Sequence, residues 1–163
     1  MGKTSLIQRF VYDMFDDSYS NTIGTHVTKK EVKIKHPEDK SELDVYLLIW
    51  DLMGQQCFLH MLRESYFFGC AGLIAVCDVT RKKTLDELPG WLSQAITVTG
   101  DVPIVILGNK SDLEGQKQLN IEDIENFASG YKDAVGYLSS VKTGYNVEHT
   151  FDTLCERMLK KTL

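Results

Sequence analysis

The 163-residue sequence has no apolar run long enough to span a bilayer, and no signal peptide precedes its first polar residues. The expectation from these absences is a cytoplasmic protein without a membrane span. A basic excess is missing too. The formal net charge is -5, which leaves no electrostatic footprint for nucleic acid. The four cysteines, Cys57, Cys70, Cys77 and Cys155, form no C-x-x-C pair and no metal-ligand spacing. They read as small buried hydrophobes in a reducing compartment rather than as disulfides or metal ligands. The histidines His26, His36, His60 and His149 are scattered and suggest no catalytic or metal cluster. No internal repeat, low-complexity tract or interdomain linker interrupts the chain.

What is present is ordinary for a folded domain. Hydrophobic residues make up 43% and charged residues 25%, and the length suits one domain with a proper core, expected as a monomer. Apolar residues at Leu6, Ile7, Phe10, Val11 and Met14 predict a helix from Thr4 to about Phe15. The polar DDSYSNTIG reads as an exposed loop. Strand-like runs follow at 30–35 and 43–50, joined through HPEDKSE as a hairpin. GLIAVCDV and VPIVILGN are nearly continuous apolar runs, as expected of strands covered on both faces. Helices are predicted over 84–98, 121–128 and a final stretch striped by Val147, Phe151, Leu154, Cys155, Met158 and Leu159, with a short strand at 134–139. After the hairpin, strand and helix alternate, which implies an α/β domain with a mostly parallel sheet and helices on both faces.

In such sheets ligands sit beyond the carboxyl ends of the strands, so the chemistry is sought in the loops there. Gly2-Lys3-Thr4-Ser5 opens a helix whose free N–H groups and dipole favour an anion, with Lys3 adding a point charge and Thr4 a hydroxyl for Mg²⁺. Asp51-Leu52-Met53-Gly54-Gln55-Gln56 follows a strand. Asp51 can hold a metal's hydration shell, Gly54 can bring an N–H close to a phosphate, and Gln55 can orient a water for in-line attack. Asn109-Lys110-Ser111-Asp112 follows a second strand. The Asp112 carboxylate can accept two hydrogen bonds from guanine, Asn109 can bond the base's ring nitrogen or carbonyl side, and the Lys110 stem can lie along its plane. In Ser139-Ser140-Val141-Lys142-Thr143-Gly144, backbone N–H groups can bond a base carbonyl and Lys142 can cover the purine. Each loop taken singly is also compatible with an ordinary turn or helix start.

Their joint order is more specific. Y-x-x-T-I-G at Tyr19 to Gly24, W-D-x-x-G-Q at Trp50 to Gln55, N-K-x-D at Asn109 to Asp112 and S-x-K-T-G-x-N-V from Ser140 to Val147 stand in sequence along the chain. With them the chain resembles a small GTPase of the Ras superfamily, nearest its Rab-like branch, from residue 2 to its last residue. The resemblance implies the P-loop NTPase fold and a switch that binds GTP and GDP with Mg²⁺ and hydrolyses GTP slowly. It implies that Lys3 contacts the β- and γ-phosphates and serves catalysis with Gln55, which would place the hydrolytic water. Gly2 and Ser5 would belong to the phosphate loop. Thr4 and Thr22 would be Mg²⁺ ligands, Asp51 would act through the metal's water, and Gly54 would sense the γ-phosphate. Asn109, Lys110 and Asp112 would select guanine, with Ser140, Val141 and Lys142 completing the base pocket. Effectors, exchange factors and activating proteins would bind at the two switch segments, and an arginine from such a partner is worth ~10³–10⁵ in rate. Arg63 reads as a surface or salt-bridge residue, not that arginine.

Some positions depart from the family pattern. Leu52 and Met53 stand where small residues are usual, Val27 replaces a frequent aromatic, and HPEDKSE is long for this hairpin. The chain ends without the cysteine tail that carries prenyl groups in many relatives. Met1 stands just before the second glycine of the phosphate loop, and no strand precedes it. The family places that strand between those ending at Asp51 and near Asp78. The expectation is a domain over 1–163 lacking its first strand and the start of its phosphate loop, as an amino-terminal truncation would leave it. The alternative reading is a non-hydrolysing scaffold that keeps the fold and works by protein contact. An adenine-using P-loop kinase fits poorly, because Asn-Lys-Ser-Asp suits guanine and no lid helices are evident.

Overall fold

Alternation in DVYLLIWD decides how the first sheet is used. A computed structural model describes residues 1–16, 24–36, 38–52 and 66–162. In it β1 (Thr25–Lys35) and β2 (Glu42–Leu52) form an antiparallel hairpin in one register, from Thr25 opposite Leu52 to Lys35 opposite Glu42. Successive side chains point to opposite faces. Leu47, Ile49 and Val32 therefore pack inward, while Tyr46, Leu48 and Trp50 stay exposed. The same parity turns Asp51 inward at the strand's end, where it is buried. β1 begins five residues before the expected strand, directly after Gly24, whose φ of +85 suits a chain reversal.

The second sheet is parallel, β3 (Leu73–Asp78), β4 (Ile104–Asn109) and β5 (Ala134–Leu138), with β4 in the middle. β4 is buried along its whole length, which accounts for the unbroken apolar run in the sequence. Among the described residues no ladder joins β2 to β3, so the sheet divides there. The division falls where the resemblance puts a further strand.

Helices cover both faces of this sheet. α1 (Lys3–Tyr12) and α5 (Val147–Thr162) pack on one face through Leu6, Phe10, Val147 and Phe151 against Val76 and Leu107. The Phe10 and Phe151 rings stack with centroids 3.7 Å apart. The inner face of the hairpin closes over this cluster. On the opposite face lie α2 (Lys83–Asp86), α3 (Leu88–Thr99) and α4 (Ile121–Ser129), with Leu88, Leu92 and Ile124 over Cys77, Ile104 and Ile106. Each such large buried side chain is worth roughly 1.5–3 kcal/mol.

Two helix predictions need correction. The stretch 84–98 is two helices broken at Glu87, because Pro89 has no N–H for the Leu85 carbonyl and disfavours helical backbone before it. α1 stops at Tyr12 rather than Phe15. Asp13 turns to φ +52 and returns its N–H to Arg9 O, which caps the last turn. α4 starts at a capping box in which Asn120 and Asp123 bond each other's backbone N–H. Among the described residues Cys77 and Cys155 are buried thiols, Cys70 is half-buried, and burial pushes Cys77 and Cys155 up to about 12. Cys77 and Cys155 are thus small buried residues, as expected, whereas Cys70 is less buried and Cys57 lies outside the described residues.

Candidate functional site

The N-terminus of α1 is where the loops meet. Gly2 adopts φ +96 and its carbonyl accepts the Leu6 N–H at 2.8 Å, while no side chain among the described residues caps the helix. The first N–H groups of any helix lack intrahelical partners. A side chain at Gly2 is excluded by space as well as by φ, since its Cβ would lie 2.4 Å from Asn109 Nδ2. That Asn109 amide donates to Met1 O at 3.1 Å.

Asn109 is the hub of the rim. Its Oδ1 accepts the Val141 N–H at 3.1 Å and the Ser139 hydroxyl at 3.4 Å, and the residue is only 3% exposed. One amide N–H thus remains for a base, and the rest of the side chain ties three loops together. Ser140 Oγ donates to Asp112 Oδ1 at 2.6 Å, and Ser111 N–H bonds Ser139 O at 2.9 Å. Ser140 therefore contributes by orienting Asp112, whose carboxylate keeps acceptor capacity for the two donors of guanine. Val141 is buried with its N–H committed to Asn109, and Lys142 is exposed.

Thr4 Oγ1 donates to Asp51 Oδ2 at 2.5 Å, joining α1 to the end of β2. Asp51 Oδ1 is buried and has no hydrogen-bond partner among the described residues. An orphaned carboxylate oxygen costs about 1–3 kcal/mol or more. Beside it, burial lowers the Lys3 ammonium from its ordinary range, with the Asp51 charge opposing the shift. Among the described residues Lys3 makes no ion pair. Ser5 is half-buried in the same first turn.

This donor set fits Mg²⁺ bound with a phosphate rather than alone. It is all oxygen, as the ion prefers, and Thr4 directs its proton to Asp51, so that the hydroxyl oxygen can act as a ligand. Among the described residues no cluster of three His, Cys, Asp or Glu could hold a metal by itself. Phosphate oxygens and water would complete the ion's shell.

The remaining candidates, Thr22, Gly54 and Gln55, lie outside the described residues, as do Met53 and Arg63. A cavity of about 350 Å³ lined by Arg9, Asp13, Asn146, Glu148 and His149, among others, includes none of the candidate residues. One residue of the rim escaped the sequence reading. Asp78 ends β3 with its side chain wholly buried and binds Lys110 Nζ at 2.7 Å. The available signal was a lone carboxylate closing an otherwise apolar strand.

A parallel sheet with helices on both faces, a glycine opening α1 and rim loops tied through Asn109 define a small G-protein domain. Residues 1–160 match the Ras family, and the chain belongs to it. Within that family it is Rab-like. It is 34% identical over 151 residues to GTP-binding protein ypt4 of Schizosaccharomyces pombe, covering 92% of this chain and 63% of that protein. It is 31% identical over 162 residues to Ras-related protein Rab-12 of Mus musculus, and likewise to that of Homo sapiens, covering 99% of this chain and 64% of each. The chain thus spans less than two thirds of the length of these relatives.

Proposed function

We propose that the chain binds GTP and GDP with Mg²⁺, hydrolyses GTP slowly and signals its nucleotide state to partner proteins. One observation carries this reading. The Lys3 ammonium is partly buried and makes no ion pair among the described residues, and it senses the charge of Asp51, whose buried Oδ1 has no donor among those residues either. Separately these are two unfavourable groups. A phosphate bound with Mg²⁺ would satisfy both, Lys3 holding the anion and Asp51 and Thr4 the cation. When bound, Mg²⁺ neutralises charge on the β- and γ-phosphate oxygens.

The chain's own residues divide the remaining work. N–H groups at the start of α1 cradle phosphate. Asp112, held by Ser140, selects guanine, and the Lys110 stem flanks the base. Gln55 orients the attacking water. Thr22 and Gly54 release their segments when the γ-phosphate leaves, because two contacts that offset ordering entropy disappear together. Partner binding has support from the exposed hairpin face, where Val27, Tyr46, Leu48 and Trp50 form an apolar stripe. That stripe serves a non-hydrolysing scaffold equally well, so hydrolysis must be measured directly.

The test combines nucleotide content on purification, competition of GDP against ADP, and single-turnover GTP hydrolysis with and without Gln55→Leu. Retained guanine nucleotide, no competition by ADP and hydrolysis slowed at least about tenfold by Gln55→Leu are expected. Equal competition by ADP would overturn the guanine assignment. Bound GTP that is never hydrolysed, even with an activating protein present, would leave the scaffold.

A further inference from the structure

Lys110 is held in a conformation that its own backbone does not favour. Its φ is +70, in the left-handed region that lysine rarely adopts, and it follows directly on Asn109 at the end of β4. Its ammonium has a defined partner. It reaches back to the neighbouring strand, where Asp78 Oδ2 lies 2.7 Å away. Asp78 and Asn109 are register partners, so the two strand ends present the carboxylate and the lysine side by side.

The carboxylate is built in. Its side chain has no exposed surface, Oδ1 accepts the Thr80 hydroxyl at 2.6 Å and the Thr80 N–H at 3.0 Å, and Arg81 Nε shares Oδ2 at 3.1 Å. The backbone is pinned as well, since Asp78 N–H bonds Thr84 Oγ1 at 2.8 Å. A buried carboxylate is an expensive way to cap a turn that Thr84 already caps. It is well suited to anchoring the far end of a partly exposed lysine, whose side chain is 40% accessible, so that its methylenes stand as a fixed wall.

We propose that Asp78 is a positioning residue for guanine recognition: by clamping the Lys110 ammonium it stretches the lysine stem into a flat surface for the base. This deepens the nucleotide-binding reading above and rests on it. Asp78 touches no nucleotide in this scheme and acts only through Lys110. Its contribution therefore concerns the base and not the phosphates.

The test measures release of a fluorescent GDP analogue and affinity for inorganic pyrophosphate, which has no base. Asp78→Asn keeps an acceptor for Thr80 and removes the charge. It is expected to speed GDP release about tenfold, the worth of one charge-assisted hydrogen bond, with pyrophosphate affinity within about twofold of wild type. Lys110→Met should speed release to a similar degree, and the double variant should be no faster than either single one. Asp78→Glu, which retains the charge, should fall between wild type and Asp78→Asn. Additive effects in the double variant, or equal loss of GDP and pyrophosphate, would show a general structural role and overturn the proposal. Should Asp78→Asn not fold, Asp78→Glu decides alone, faster GDP release with unchanged pyrophosphate affinity supporting the clamp and equal loss of both overturning it. A wild-type chain that binds no GDP removes the nucleotide reading and the clamp together, whereas unchanged release in Asp78→Asn removes only the clamp.

Discussion

Replacing Gly2 with alanine tests the rim at its tightest point. Two penalties add. The backbone at φ +96 costs an L-residue about 1 kcal/mol relative to glycine. The new Cβ would also sit 2.4 Å from Asn109 Nδ2, about 1 Å inside van der Waals contact. Asn109 is buried and bonded to Met1 O and Val141 N–H, each at 3.1 Å, so moving it strands polar groups away from water. A buried group left unsatisfied costs about 1–3 kcal/mol. The expected total is about 2–4 kcal/mol, a large share of a typical stability of about 5–15 kcal/mol. Urea unfolding followed by the fluorescence of Trp50 and Trp91 measures it. Gly115→Ala is the control, because a Cβ there meets nothing within 4 Å, and it should stay within about 0.5 kcal/mol of wild type. In an Asn109→Ala background the collision is gone, so Gly2→Ala should cost only the backbone contribution of about 1 kcal/mol. Additive losses in that cycle, or an unchanged midpoint for Gly2→Ala alone, would refute the packing argument.

Gly90 lies exposed inside α3, and a Cβ added there would meet nothing within 4 Å. Gly90→Ala should therefore raise stability by about 0.5–1 kcal/mol and Tm by about 1–4 °C; a lower Tm would contradict an open helical position. Acid should reveal the Asp78 cluster. Burial pushes that carboxyl up, but hydrogen bonds from Lys110 and Thr80 and the Lys110 charge outweigh it and hold it at about 2, below the ordinary 3.8. A depressed carboxyl stabilises the fold above its unfolded value and loses that contribution as pH falls through the folded one. Wild type should thus lose roughly 2 kcal/mol more than Asp78→Asn between about pH 4 and pH 2. Parallel stability curves for the two proteins would count against the buried ion pairs.

The elements themselves were largely readable because their signals are local. Periodicity of 3.6 marked α1, α4 and α5, and unbroken apolar runs marked β3 and β4. The miss at Glu87 had a local cause in Pro89 that the apolar stripe outweighed. Asp78 was harder, since an acidic residue ending a strand looks the same whether it faces solvent or a lysine from the next strand.

Residue type and spacing alone determined the family, and they pointed to Asn109, Lys110 and Asp112 for a guanine base and to Gly2-Lys3-Thr4 for phosphate, because each motif lies within a few consecutive residues. Only the tertiary structure decided what those side chains do to one another. Asn109 became a tie across three loops, Ser140 a brace for Asp112, and Asp51 a half-satisfied partner of Thr4. Such contacts join residues 28 to 108 positions apart. They depend on strand register and burial, which no short stretch of sequence carries.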